Sequence, residues 1–197
     1  MQWRDDGIVL AVRKHGETGA VVSLLTRAHG RHAGLVRGGA GRRQRGVLQA
    51  GNEVHAEWRA RLAEHLGSYT VELTRARAAE LMALPAPLAG LSAACAVLEA
   101  TLPEREPHAP IFDALAVLLD ALGSSEAWPA VYVRFELGLL QELGFGLNLS
   151  ACAMTGAAEG LAYVSPKSGR AVTAEAGAPW KEKLLRLPAF LLGGRAD

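Results

Sequence analysis

G-I-V-L-A-V-R (7–13), A-V-V-S-L-L-T-R (20–27) and A-G-L-V-R (33–37) are three apolar runs, and the basic R-G-G-A-G-R-R-Q-R (37–45) follows them at once. In the first, Ile8, Leu10 and Val12 alternate with Val9, Ala11 and Arg13, which predicts a strand buried on one face and partly covered on the other. Turn chemistry separates the three runs: K-H-G-E-T-G at 14–19 and A-H-G-R-H around Gly30. Further on, Val54, Ala56 and Trp58 oppose His55, Glu57 and Arg59. Tyr69, Val71 and Leu73 are expected inward, against Thr70, Glu72 and Thr74 outward. R-L-A-E-H-L-G (61–67) between them reads as a short helix or a hairpin connection. Five strands before residue 75, joined by glycine-rich turns, predict a small closed barrel. A five-stranded Greek-key barrel of this size is the OB-fold, here expected over residues 1–78, with an SH3-like barrel as the alternative.

The 37–45 run carries Arg37, Arg42, Arg43 and Arg45 and no acid. Its three glycines argue against a helix, because glycine loses the most backbone entropy on ordering. A guanidinium stays charged at any working pH and presents a planar fork of donors that suits phosphate. A basic glycine-rich loop hung between strands therefore reads as a clamp for nucleic-acid backbone, or as a solvated loop without a partner. Arg13, Lys14, Arg27 and Arg31, near the ends of the neighbouring strands, are candidates for the same role.

From Ala78 the period of the pattern changes. Leu88, Leu91, Cys95, Leu98 and Leu102 form one helical stripe, ended by P-E-R-E-P (103–107). Ile111, Leu115, Leu118, Leu119 and Leu122 form a second; Val131, Phe135, Leu139, Leu140 and Leu143 form a third. Three amphipathic helices with short connections predict a bundle, in a domain expected over residues 79–197. Leu81 to Leu98 is long and poor in charge, but Pro85, Pro87, Gly90 and Ser92 interrupt it. A buried helix preceded by a proline-marked linker is expected there, rather than a membrane span.

The formal net charge of +1 conceals an asymmetry. Residues 1–80 hold 13 Lys and Arg against 8 Asp and Glu, whereas residues 81–150 hold 2 against 8. A basic front suits nucleic acid, and the acidic middle suits another kind of contact. The outward acids Glu99, Asp113, Asp120, Glu136 and Glu142 read as a solvated face. Two distant cysteines, Cys95 and Cys152, do not make a disulfide framework, and no signal peptide is evident at the N-terminus; both point to the cytoplasm.

No catalytic constellation is found: the chain has no G-x-x-x-x-G-K-[ST], H-E-x-x-H or G-x-S-x-G. His29 and His32 lack a third ligand nearby in sequence, and Ser165, Lys167 and Ser168 read as turn residues of a P-K-S-G hairpin. That hairpin, Leu161 to Val164 returning through Arg170 to Thr173, makes a small module over about residues 150–173. Glu175 to Leu187 reads as a last short helix.

The chain resembles the RecO family of bacterial recombination mediators. The resemblance rests on G-I-V-L-A-V-R-K-H-G-E (7–17), L-L-T-R-A-H-G (24–30), V-R-G-G-A-G-R-R (36–43), L-Q-E-L-G-F-G-L-N-L-S-A-C (140–152) and A-Y-V-S-P-K-S-G-R-A-V (162–172). It implies an α+β chain: an N-terminal OB-fold, then a helical domain with a zinc-ribbon-like hairpin module. It also implies a DNA-binding, non-enzymatic role in recombinational repair. Proteins of this kind bind single- and double-stranded DNA and anneal strands coated by single-strand-binding protein. They act with RecR to load RecA, in the cytoplasm at the nucleoid and without a cofactor or membrane. Many relatives carry C-x-x-C twice in the module. Here the first pair reads Cys152-Ala-Met-Thr155 and the second, around 169–172, has no cysteine, so no zinc is expected. Cys152 is then a packed thiol, and Leu147, Leu149, Met154, Leu161, Tyr163 and Val164 are expected to hold the module near Phe145. Relatives also continue past the position of Asp197, which implies further helices. The readings from other classes are an interaction scaffold that binds no DNA and a nucleic-acid-processing enzyme.

Overall fold

The computed structural model describes residues 1–193. Five strands come first: β1 (Gln2–His15), β2 (Gly19–Thr26), β3 (Gly30–Val36), then, after a short helix α1 (Arg42–Val47), β4 (Glu53–Arg59) and β5 (Ser68–Arg75). They close in the order β1-β2-β3-β5-β4. β1 bridges the barrel because it is long: Gly7–His15 pairs with β2, and Gln2–Ile8 pairs with β4. The seam is a short parallel pairing, Leu35 with Ser68 and Val36 with Tyr69. This is the expected OB-fold barrel.

Val9, Val22, Leu24, Val36, Val54, Ala56, Trp58 and Tyr69 fill the interior. The alternation read in β4 holds; in β5 it stops early, since Leu73 is exposed. β1 starts five residues before the predicted Gly7, because Arg4, Asp5 and Asp6 hide the strand under charge. A register shift between Val9 and Ala11 lets four successive residues, Gly7 to Leu10, be buried. An extra residue at a bulge breaks the strict in-out alternation. Segment 61–67 is turn and bend, without a helix.

The helices that follow belong with the barrel. α2 (Arg77–Leu81), α3 (Pro85–Thr101) and α4 (Ala109–Ser124) fall in one compact unit with it, Met1–Trp128. α3 packs on β1, where Cys95 Sγ approaches the Val9 carbonyl at 3.7 Å. Burial raises the Cys95 thiol pKa to about 12, so it behaves as a small hydrophobe. Pro85 and Pro87 lie in the first turn of α3 rather than in a linker before it. A missing N–H costs nothing in the first turn. The first compact unit runs on to Trp128 because α3 covers the buried outer face of β1.

Polar bonds fasten this packing. Glu99 of α3 takes Ser23 Oγ at 2.5 Å and lies 3.5 Å from both Arg13 and Arg31. Asp113 of α4 pairs with Arg27, whose guanidinium lies over the Phe112 ring. Asp120 takes Arg75 at 2.9 Å and Arg77 at 2.7 Å. These three acids, expected on a solvated face, instead pair with arginines of the first 77 residues. Much of the charge asymmetry is internal complementarity.

Segment 103–108 lies on the β2–β3 turn. A Cβ on Gly30 would stand 1.8 Å from the Glu106 carbonyl oxygen, and Gly30 has φ +66°. Gly30→Ala is therefore expected to cost more than about 1 kcal/mol, by strain and by displacing backbone. An unchanged urea midpoint would contradict this.

The second compact unit is Pro129–Asp197. Most of α5 (Trp128–Glu142) opens it, with Phe135 and Leu139 buried. A three-stranded sheet follows in the order β7-β6-β8, from β6 (Leu161–Val164), β7 (Ala171–Thr173) and β8 (Leu185–Arg186). The hairpin was expected; the third strand was not. The predicted helix over 175–187 is limited to α6 (Ala174–Gly177) and a 3₁₀ turn at Ala178–Lys183. Pro179 interrupts the segment and β8 then pairs with Tyr163 and Val164. Ser165 to Gly169 is the β6–β7 turn, as read. The expectation about the chain's end at Asp197 lies outside the described residues.

Candidate nucleic-acid interface

The basic run is half turn and half helix. Gly38 takes φ +69°, and a Cβ on Gly39 would stand 2.8 Å from the Ala20 methyl, so only glycine lets the chain fold this tightly onto β2. Ala40 N–H donates to the Thr18 carbonyl at 2.9 Å. The expectation that glycines forbid a helix is corrected here. They precede it, and Arg42–Val47 forms α1 with only Gly46 inside. Its C-terminal end is fixed from below. The buried Asn52 amide donates to the Gly46 and Val47 carbonyls at 2.9 and 3.0 Å, and accepts from Ala78 N–H at 3.1 Å. Leu48 enters the barrel core beside it. A short helix without a side-chain N-cap is marginal alone. Asn52 and Leu48 give it a fixed seat.

α1 presents Arg42, Arg43 and Arg45 exposed, with Arg37 exposed just before it. Among the described residues no carboxylate pairs with any of these four, nor with Lys14. Arg45 Nε donates to the Ala40 carbonyl at 3.1 Å, which aligns its side chain along the turn. Lys14 and Arg45 share the walls of a 280 Å³ depression floored by Val12 and Ala20. Arg37 lines another, of 380 Å³, with Gln44, Arg59 and Thr70. Arg59 lines the same depression, but its Nε donates to Glu57 Oε1 at 2.6 Å, which places it with the carboxylate-held arginines.

The other candidates are placed differently. Arg27 and Arg31 sit at the far end of the β2–β3 hairpin, where they hold Asp113, Glu99 and Glu104; Arg31 Nε also donates to the Leu102 carbonyl at 2.8 Å. Arg13 points out of β1 but lies 3.5 Å from Glu99. Of the eight candidates, five stand around α1 with no acid partner among the described residues. Pairing with a carboxylate reduces a cation's field toward a phosphate, so the two sets differ in electrostatic availability.

His29 and His32 are not a metal pair. His29 stacks on Trp3 at 4.1 Å and bonds Asp5 at 3.0 Å, while His32 is buried against Tyr69. In the module, Cys152 stands without a second cysteine, and among the described residues no cluster of three or more His, Cys, Asp or Glu converges for a metal. The donor set around Cys152 does not fit zinc. It fits a thiolate. The Thr155 hydroxyl first, and then the backbone N–H groups of Thr173, Met154 and Thr155, lower the Cys152 pKa to about 6. The module is held by Val164, Ala171 and Leu187, with Leu147, Leu149, Leu161 and Leu191 against them. Met154 and Phe145, expected in this packing, are exposed.

Because the folded Cys152 pKa lies below the ordinary thiol value, folding of this unit is expected to gain stability as pH rises from about 6 toward 9, and to lose it as pH falls through about 6. Thiolate absorbance titrating near pH 6, absent in Cys152→Ser, is the measurement. A midpoint near 9 would show that these donors do not hold the anion.

The family model for the recombination protein O N-terminal domain matches residues 1–77, and that for the C-terminal domain matches residues 85–197. Similar full-length relatives include the DNA repair protein RecO of Rhodospirillum centenum, 56% identical across 100% of this chain and 79% of the relative. The RecO of Rhodospirillum rubrum is 56% identical over 98% of this chain and 78% of its own length. The Mesorhizobium japonicum protein of the same name is 54% identical over 100% and 79%. A closed five-stranded barrel followed by helices, matched end to end by both domain models and by these relatives, makes this chain a member of the RecO family.

Proposed function

We propose that this protein is a DNA-binding mediator of recombinational repair, which anneals complementary strands and, with RecR, helps load RecA on DNA coated by single-strand-binding protein. The observation that carries the DNA-binding part is the unpaired basic set, Lys14, Arg37, Arg42, Arg43 and Arg45, around α1. Guanidinium groups without acid partners neutralise phosphates and release counterions. Binding of that kind is sequence-tolerant, salt-dependent and equally open to single and double strands. Annealing needs such a surface, since two strands must be held by their backbones while their bases find each other. No bond is made or broken in that process, so the reading requires no catalytic group.

The DNA-binding face is assigned to the barrel and its basic helix, and protein partners are assigned to the helical part. Among the described residues no helix is long and apolar enough to cross a membrane. The test is annealing of complementary oligonucleotides under increasing salt. Strand annealing without covalent change, unaffected by chelator and weakening log-linearly with salt, is expected. Absence of binding at low salt would overturn the reading in favour of a scaffold, and altered strands would favour an enzyme. A fragment beginning at residue 81 is unsuitable for separating the two roles, because it removes β1 from under α3.

A further inference from the structure

On the barrel, a pocket of 500 Å³ opens between the start of β1, the β2–β3 turn and segment 103–108. Aromatic rings form its wall. Trp3 lies between His29, stacked at 4.1 Å with an interplanar angle of 8°, and Trp58, at 5.7 Å and 20°. His32 meets the edge of this stack at 4.9 Å from Trp58. Burial first, and then the Arg105 charge, lower the His32 pKa to about 4, so the His32 ring is uncharged at neutral pH. His29 remains one-third exposed, with Asp5 fixing its ring.

Arg105 forms the opposite side. It is the one non-glycine residue with positive φ among the described residues, at +64°. Its N–H donates to the Arg31 carbonyl at 2.7 Å, and Nη2 donates to the His65 carbonyl at 3.0 Å. Its Nε is buried and has no hydrogen-bond partner among the described residues. Strained backbone and an unmet buried donor each cost free energy, and such features gather where a ligand completes the arrangement. The acids near the pocket are engaged elsewhere: Asp5 with His29 and Ala28 N–H, Glu104 with Arg31.

A ligand that suits this pocket must bring a flat π-face for the rings and an acceptor for the guanidinium in one planar group. A nucleobase has both, and every base carries a ring-nitrogen or carbonyl acceptor. We propose that the pocket receives one unpaired base of a single-stranded nucleic acid, stacked on the exposed side of His29 at the end of the Trp3–His29 pair, with Arg105 donating to its edge. The proposal rests on the DNA-binding reading and adds a strand preference to it. The basic helix holds phosphates of any strand, whereas this pocket admits only a base free of its partner.

The test compares the whole chain with Arg105→Gln for binding to a short oligothymidylate and to a duplex of equal length. Loss of the guanidinium's hydrogen bond to the base edge is expected to weaken single-strand binding roughly five- to tenfold and to leave duplex binding unchanged. A second measurement needs no disruptive variant. Trp3 fluorescence should be quenched by oligothymidylate but not by an abasic oligomer of the same length, and Trp3→Phe should remove the quench. Equal single-strand affinity in Arg105→Gln, or quenching by the abasic strand, would overturn the pocket while leaving DNA binding by α1 intact. Failure of the unaltered chain to bind either DNA would overturn both readings.

Discussion

Alanine at Arg42, Arg43 and Arg45 together is expected to abolish tight DNA binding while leaving the fold unchanged. Each lost phosphate contact removes about 0.7 from the slope of log K against log salt for single strands and about 0.9 for duplex. The triple variant should therefore lose about 2 from the single-strand slope, similarly across sequences. The fold is expected to tolerate it. All three side chains are exposed, and α1 is seated by Leu48 and by the Asn52 bonds to its last carbonyls. Surface changes away from such anchors usually lie within about 0.5 kcal/mol. Alanine at Arg27 or Arg31 should do the reverse, lowering the urea midpoint through Asp113, Glu99 and Glu104 with little change in the salt slope. An unchanged slope in the triple variant would remove α1 from the binding face.

Arg77→Met should lower the stability of the first unit measurably. Arg77 is 4% exposed, with Nε 2.6 Å from Glu53 and Nη1 2.7 Å from Asp120. Breaking a buried ion pair from one side costs about 3–5 kcal/mol because the partner charge is left uncompensated. Asp120 is largely exposed and keeps Arg75, so only Glu53 is stranded, and a loss of about 2–3 kcal/mol is the expected result. The same network sets an acid limit. The Arg77 hydrogen bond first, and then its charge and those of Arg75, hold Asp120 below the usual carboxylate range. Its contribution is present above the unfolded pKa and is lost as pH falls through the lower folded value. Asp120→Asn should remove that acid dependence. A urea midpoint in Arg77→Met equal to the unaltered chain would show that Glu53 finds water without cost.

The sequence by itself determined the elements that rest on local chemistry. Alternation in β4 and the start of β5, glycines at turns, and helical stripes from Leu88, Ile111 and Val131 are set by side-chain periodicity. They were legible without any contact being known. The same reading gave the barrel, the basic run and the RecO resemblance, because each is written in consecutive residues. It misread α1, since six residues of marginal helix depend on Asn52 and Leu48, outside the pattern. It missed the start of β1, where pairing with β4 overrides charged side chains, and β8, which exists only because β6 offers an edge.

Which arginines are available was also undecidable from sequence. Arg31 and Arg43 are the same residue type in similar basic surroundings. What separates them is Glu99 and Glu104, brought to Arg31 from about 70 residues away by the packing of α3 on β1. The same long-range packing joined Trp3, His29, Trp58 and Arg105, four positions scattered over a hundred residues, into one pocket. Periodicity fixes what a residue does along its own strand or helix; ion pairing and shared cavities depend on distances across the fold, and only the tertiary structure decided those.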